Sequence, residues 1–176
     1  MSTDDLYARM RPLKMLIFDV DGVLTDGSLF FGDDGQEYKA FNSLDGHGIK
    51  MLRDSGVEAA IITGRTSQVV LHRAKNLGIE RIFQGAGDKL ESFRVLLRET
   101  GLQPAQTGYM GDDIVDLPVL KRSGLAVTVP TAPALVRNQV HYVTHAQAGR
   151  GAAREVCELI MQAQGTWAEQ LAHYDR

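Results

Sequence analysis

Met15-Leu16-Ile17-Phe18-Asp19-Val20-Asp21-Gly22-Val23-Leu24-Thr25 is the stretch on which the reading of this chain turns. The apolar run from Met15 to Phe18 reads as a buried strand that stops in two carboxylates at i and i+2, followed by a glycine. Within a strand that spacing puts both side chains on one face; past the strand end, the second carboxylate is free to take a different task. Two like charges this close repel, and a divalent cation is a simple way to stabilise them. Taken alone, Asp-x-Asp-Gly is more often a strand end and a turn. The rest of the chain decides.

Working outward, Ser28 to Phe31 and Gln36 to Phe41 flank Gly32-Asp33-Asp34-Gly35 and read as a β-hairpin spanning about 28–41. Parallel strands need a crossover, so this hairpin projects from the sheet, and its aromatic residues require a partner surface. Beyond it the pattern alternates. Helices are predicted at Asp45 to Ser55, Ser67 to Leu77, Lys89 to Thr100, Ile114 to Ser123, Ala132 to Asn138 and Gly151 to Gln164. Strands are predicted at Val57 to Ile62, Arg81 to Phe83, Thr107 to Met110, Leu125 to Val129 and His141 to Thr144. Gly56, Gly78 and Gly101 stand where helices should stop. This alternation argues a single α/β domain over 1–176, a doubly wound parallel sheet of Rossmann type, with ligands bound off the carboxyl ends of its strands. In the tail, 165–176, Trp167, Leu171 and Tyr174 share one face of a short helix, as consistent with a frayed end as with docking on a neighbour.

Composition narrows the class. With 176 residues and a net charge of −3, the chain has room for one substantial core and no basic footprint for nucleic acid. No apolar run approaches membrane-spanning length, and the polar start, Met1 to Arg11, lacks the apolar core of a signal peptide. The lone Cys157 lies in an apolar helical pattern and reads as a packed thiol, consistent with a reducing cytoplasm. His47, His72, His141, His145 and His173 show no metal-ligand spacing.

Polar residues accumulate where the strands stop. Asp19 and Asp21 follow the first, Thr63-Gly64-Arg65 the second, Lys89 opens the helix after the third, and Gly111-Asp112-Asp113-Ile114-Val115-Asp116 follows the strand ending at Met110. Each has a dull explanation singly, as a cap, a turn or a solvated charge. As an ordered set they fit phosphoryl transfer. An aspartate can attack an anionic phosphate ester only if the repulsion is screened, and the leaving alkoxide needs an acid. Asp19 is the nucleophile of this scheme and Asp21 its acid, then base. Thr63 and the Gly64 amide are donors to the phosphoryl oxygens, Lys89 neutralises charge, and Asp112 is a cation ligand. Asp113 and Asp116 are expected to support or cap rather than react.

These four segments resemble the motifs of the haloacid dehalogenase superfamily of aspartate-nucleophile phosphatases. The resemblance spans nearly the whole chain. It implies Mg²⁺ held by Asp19, the backbone carbonyl of Asp21, and Asp112. Larger members carry a cap domain; here too little chain lies after Asp21, or between Thr63 and Lys89, to form one. A site open to water then needs cover from other subunits of a closed oligomer.

The capless branch with such a hairpin is similar to the 3-deoxy-D-manno-octulosonate 8-phosphate (KDO 8-P) phosphatase family of lipopolysaccharide synthesis. That resemblance implies a sugar-phosphate substrate and a tetramer whose tails reach neighbouring sites. It also implies substrate contacts from Asn42, Asp45, Gly46, Lys50, Arg65 and Arg73, besides Asp21, Gly64 and Lys89. Leu44 stands where the family usually has arginine, and Lys50 replaces another, which leaves a nonulosonate 9-phosphate or broader sugar phosphates as competing substrates. A receiver domain, also an Asp-rich α/β fold, is disfavoured because its phosphorylated aspartate ends a middle strand, where this chain has Thr63. An idle scaffold would be expected to have lost Asp19 or Asp21.

Overall fold

The computed structural model describes residues 2–175. Six parallel strands form the central sheet: β1 (Met15–Phe18), β4 (Glu58–Ile62), β5 (Arg81–Phe83), β6 (Thr107–Met110), β7 (Leu125–Thr128) and β8 (Tyr142–Val143). Their spatial order is β5-β4-β1-β6-β7-β8. Counted by the sheet's own strands that is 3-2-1-4-5-6, the doubly wound order of dinucleotide-binding folds rather than the 2-1-3-4-5 order of receiver domains. β1 lies at the centre, with Phe18 beside Ile61 on one neighbour and Met110 on the other. Buried on both faces, β1 reads as an unbroken apolar run rather than an alternating one. The strand order reverses between β1 and β6, so the crevice beyond their carboxyl ends falls at Asp19 and Gly111-Asp112.

The connecting helices are α2 (Ser43–Asp54), α3 (Gln68–Leu77), α4 (Lys89–Thr100), α5 (Leu117–Leu120), α6 (Ala134–Arg137) and α7 (Ala152–Gln164). α2 packs on α7 and α3, while α4 packs on α5. Right-handed crossovers put these groups on opposite faces of the sheet. Asn42 caps α2 through hydrogen bonds from the amides of Leu44 (2.8 Å) and Asp45 (3.3 Å), so α2 starts earlier than its apolar periodicity suggests. The helix expected over Ile114 to Ser123 is instead a tight turn, Ile114–Asp116, followed by the single-turn α5. Pro118, fixed at the start of α5, lacks the N–H that a continuous helix would need there. α6 is likewise cut short at its start by Pro133.

One helix has no counterpart in the sequence reading. α1 (Thr3–Met10) is closed by a capping box, in which the Ser2 hydroxyl accepts from the Asp5 amide and the Asp5 carboxylate accepts from Ser2. It buries Leu6 and Met10 against α7, and the Gln164 amide ties the following chain down at Leu13 O, 2.9 Å away.

The hairpin forms, with β2 (Phe30–Phe31) antiparallel to β3 (Glu37–Tyr38) in a sheet of its own. Leu29, Phe30, Phe31 and Tyr38 are exposed. The chain holds no other insertion after Asp21 before β4 than this hairpin and α2, and none between Thr63 and Lys89 beyond α3 and β5, so there is no cap. The tail forms α8 (Trp167–Ala172), which packs back on α7, with Trp167 against the core. The Tyr174 hydroxyl lies 2.7 Å from His47 Nε2 on α2. Over residues 165–175 the tail is thus ordered against its own subunit; Arg176 lies outside the described residues. Cys157 is buried in α7 as a packing residue, and burial pushes its thiol up. No helix among the described residues is long and apolar enough to cross a membrane.

Candidate active site

Asp19 follows the last residue of β1 in extended backbone and is 6% exposed. Its Oδ1 accepts from the Val20 amide at 2.6 Å, and its Oδ2 accepts from Lys89 Nζ at 2.6 Å. Lys89 opens α4, whose cap, Asp88, receives the Leu90 and Glu91 amides and so fixes where the lysine starts. Nearly buried, the ammonium donates also to Asp116 Oδ1 at 2.7 Å. Burial works against this charge, but Asp19 and Asp116 more than offset it and hold Lys89 above its ordinary range.

Asp116 is fully buried and fully engaged. Its Oδ1 receives Lys89 and the Tyr109 hydroxyl (2.6 Å), and its Oδ2 receives the amides of Asp112 and Asp113, both at 3.1 Å. Asp113 caps the turn through the Ile114 amide at 2.7 Å. Both aspartates thus make contacts of a bracing or capping kind. Tyr109, whose burial drives its phenol well above the usual range, belongs to the same network and gave no signal in a strand that reads as core.

Carboxylate oxygens of Asp19, Asp112 and Asp116 lie within 4.8 Å of one another. Burial first, then the charge of Asp116, pushes Asp19 up to about 6 despite Lys89. Burial, then Asp19 and Asp116, pushes Asp112 up to about 7. Three carboxylates face one ammonium, and the excess of negative charge calls for a cation. With Asp116 saturated by four donors, Asp19 and Asp112 are the two side chains with capacity for it. Gly22 makes the space: it sits at φ 87°, and a Cβ there would fall inside the Asp112 carboxylate. Hard oxygen donors of this kind fit a Mg²⁺-type ion.

Asp21, one residue into the turn after Asp19, points elsewhere. Its Oδ1 accepts from Lys39 Nζ of the hairpin root, and its Oδ2 lies 4.0 Å from Arg65 Nε. Lys39 is also 3.2 Å from Glu37 Oε1, and Arg65 is 3.1 Å from the same oxygen. Lys39 and Glu37 were not singled out in the sequence, where a charged hairpin strand looks the same as a solvated one. Asp19, Asp21, Thr63, Gly64, Arg65, Lys89, Asp112, Asp113 and Val115 surround one open cavity of about 260 Å³.

The other expected substrate residues sit outside that lining. The Asn42 side chain caps α2. Asp45 is buried and accepts from the Gly151 and Arg154 amides (3.2 and 2.9 Å), which makes it the anchor of the α7 N-terminus. Burial raises its carboxyl despite these bonds. Gly46 lies under Arg73, whose guanidinium donates to Asn42 O at 2.9 Å and stacks over Phe41. Lys50 is exposed in a separate cleft between α2 and the tail, with Asp54, Gln170 and Tyr174. None of the five histidines belongs to the carboxylate cluster.

Residues 79–156 match a family of haloacid dehalogenase-like hydrolases. The chain is 47% identical, over 92% of its own length and 86% of the relative's, to the 3-deoxy-D-manno-octulosonate 8-phosphate phosphatase of Yersinia pestis. Among solved structures it is similar to a probable yrbi family phosphatase from Pseudomonas syringae, with 52% identity, a TM-score of 0.97 and 98% of each chain covered. It is similar also to the 3-deoxy-D-manno-octulosonate 8-phosphate phosphatase of Moraxella catarrhalis, solved with magnesium, phosphate and KDO. There the identity is 39% and the TM-score 0.96, over 98% of this chain and 99% of that one.

Proposed function

This chain belongs to the haloacid dehalogenase-like hydrolases, within their 3-deoxy-D-manno-octulosonate 8-phosphate phosphatase family, and from that membership we propose that it hydrolyses this ester to KDO and inorganic phosphate. The observation that carries the reading is the Asp19 carboxylate, held by the Val20 amide and Lys89 at the mouth of an acidic crevice.

In this mechanism an Asp19 oxygen attacks phosphorus as the bond to the sugar oxygen breaks, and Asp21 gives its proton to the departing alkoxide. Water then attacks the aspartyl phosphate and passes a proton to Asp21, and Asp19 leaves as a carboxylate. The Thr63 hydroxyl and Gly64 amide donate to the phosphoryl oxygens, and Lys89 offsets the charge gathering between Asp19 and the phosphate. Asp116 keeps Lys89 aimed at Asp19 and shapes the loop that carries Asp112. Mg²⁺ held by Asp19, Asp112 and the backbone carbonyl of Asp21 would screen the phosphate's charge from the attacking carboxylate.

Arg65, at the cavity rim, is the cation within reach of the sugar acid's carboxylate. Asn42, Asp45, Gly46 and Arg73 lie outside the cavity lining, tied to one another or to the start of α7, and Lys50 faces the tail, so their contribution to substrate is indirect within one subunit. The 1–176 chain acts as one catalytic domain of a homotetramer in the cytoplasm, with the apolar hairpin faces of Phe30, Phe31 and Tyr38 covering sites of neighbouring subunits.

The test is phosphate release from the eight-carbon ester with and without Mg²⁺, beside Asp19→Asn. Metal-dependent release that falls to background in the variant is the expected result. Equal release by Asp19→Asn would end the proposal.

A further inference from the structure

Nothing in the mechanism above accounts for the hairpin root. Lys39 stands on a projecting arm whose neighbouring apolar residues are exposed, yet its own side chain is only 1% exposed. Removing an ammonium from water is unfavourable unless it is closely paired, and an apolar residue would avoid that cost. The pairing is specific. Lys39 Nζ makes the one hydrogen bond that the Asp21 carboxyl receives among the described residues, on Oδ1, and it rests on Glu37 Oε1 at 3.2 Å. Glu37 in turn takes Arg65 at 3.1 Å, and Arg65 approaches the other Asp21 oxygen no closer than 4.0 Å. The period-two alternation of a strand produces this arrangement. Glu37 and Lys39 turn inward together while Tyr38, between them, faces solvent.

Asp21 itself sits on a turn that leads into a left-handed glycine, and its backbone alone does not decide where the carboxyl points. We propose that Lys39 is a positioning residue for the reaction: by fixing Oδ1 of Asp21 from the hairpin, it leaves Oδ2 facing the cavity to exchange a proton with the sugar oxygen. Lys39 touches neither phosphate nor sugar in this role; it acts through Asp21. The inference rests on Asp21 being the acid. It gives the hairpin a function inside its own subunit, separate from any cover it gives a neighbour.

The leaving group provides the test. An alkyl ester such as the sugar 8-phosphate needs a proton as its alkoxide departs, whereas p-nitrophenyl phosphate releases a phenolate that needs none. Turnover of both esters is measured for the wild type, Asp21→Asn, Lys39→Met and Lys39→Arg. Asp21→Asn is expected to lose far more on the alkyl ester. Lys39→Met, nearly isosteric but without the donor, is expected to show the same asymmetry, at least about tenfold, given that general acids contribute about a hundredfold or more. Lys39→Arg should recover part of the alkyl rate. Turnover of the aryl ester by Lys39→Met also reports that the variant is folded; if it does not accumulate, Lys39→Gln is read the same way. Asymmetry in Asp21→Asn with none in the lysine variants would overturn the role of Lys39 alone. No asymmetry in Asp21→Asn would remove the acid assignment itself, and the present inference with it.

Discussion

Asp19, Asp112 and Asp116 set three negative charges against the one positive charge of Lys89, and this imbalance is the residue-scale property that most needs an explanation. In the metal-free protein it makes folding pH-dependent in an unusual direction. The Asp19 and Asp112 carboxyls have folded pKa values raised to about 6 and about 7, against 3.8 for the ordinary group. The folded state thus holds protons that the unfolded chain has released. Their contribution to stability is complete below about pH 4 and is lost as pH rises through 6 and 7. A cation bound to the two carboxylates replaces those protons. Melting temperatures with Mg²⁺ and with a chelator should therefore diverge as pH rises, the gap at pH 8 clearly exceeding that at pH 5. A gap independent of pH would contradict the assignment of these side chains. The pairing of Asp19 with Asp112 was legible because each follows an apolar run and precedes a turn. Lys39 was not: which lysine of a hairpin turns inward depends on its register, and the sequence between 28 and 41 leaves that open.

At the scale of elements, apolar runs and glycine stops were enough to locate all six strands of the sheet, most plainly the buried β1 and β7, while the half-buried edge strands β5 and β8 were marked by their place in the alternation. Errors fell where local signals compete. α1 is polar on most of its surface, and beside its Ser2–Asp5 capping box it is the burial of Leu6 and Met10 on α7 that holds it, a tertiary effect that composition hides. Pro118 broke an expected helix whose periodicity continued across it. Asp45 is the instructive case, because the motif match pointed to substrate while the carboxylate is hydrogen-bonded to the start of α7. Asp45→Ala is therefore expected to lower stability by about 1–2 kcal/mol, the scale of a lost helix cap, and to change the Michaelis constant little. A urea titration beside saturation kinetics checks this; a large rise in the Michaelis constant at unchanged stability would restore Asp45 to direct substrate contact.

For the whole molecule, the strand order puts the nucleophile and the loop bearing Asp112 on either side of the one point where the sheet's winding reverses. The alternation of elements implies a doubly wound sheet with its site at the carboxyl ends of the strands, while the order of the strands emerges only from the fold. What covers the cavity follows from neither, because a capless subunit leaves it open and the answer lies in contacts between copies. The exposed hairpin predicts a particle several times 19.3 kDa by light scattering. Replacing Phe30 and Phe31 by serine should reduce that mass and weaken substrate saturation; a wild-type monomer would discard the shared cover. The whole account depends most directly on covalent chemistry at one oxygen, and a crystal grown with beryllofluoride and Mg²⁺ reads it. The expected result is density joined to Asp19 Oδ, with Lys89 beside it. Density attached to any other side chain, or none at Asp19 in a crystal that has bound the reagent, would contradict it.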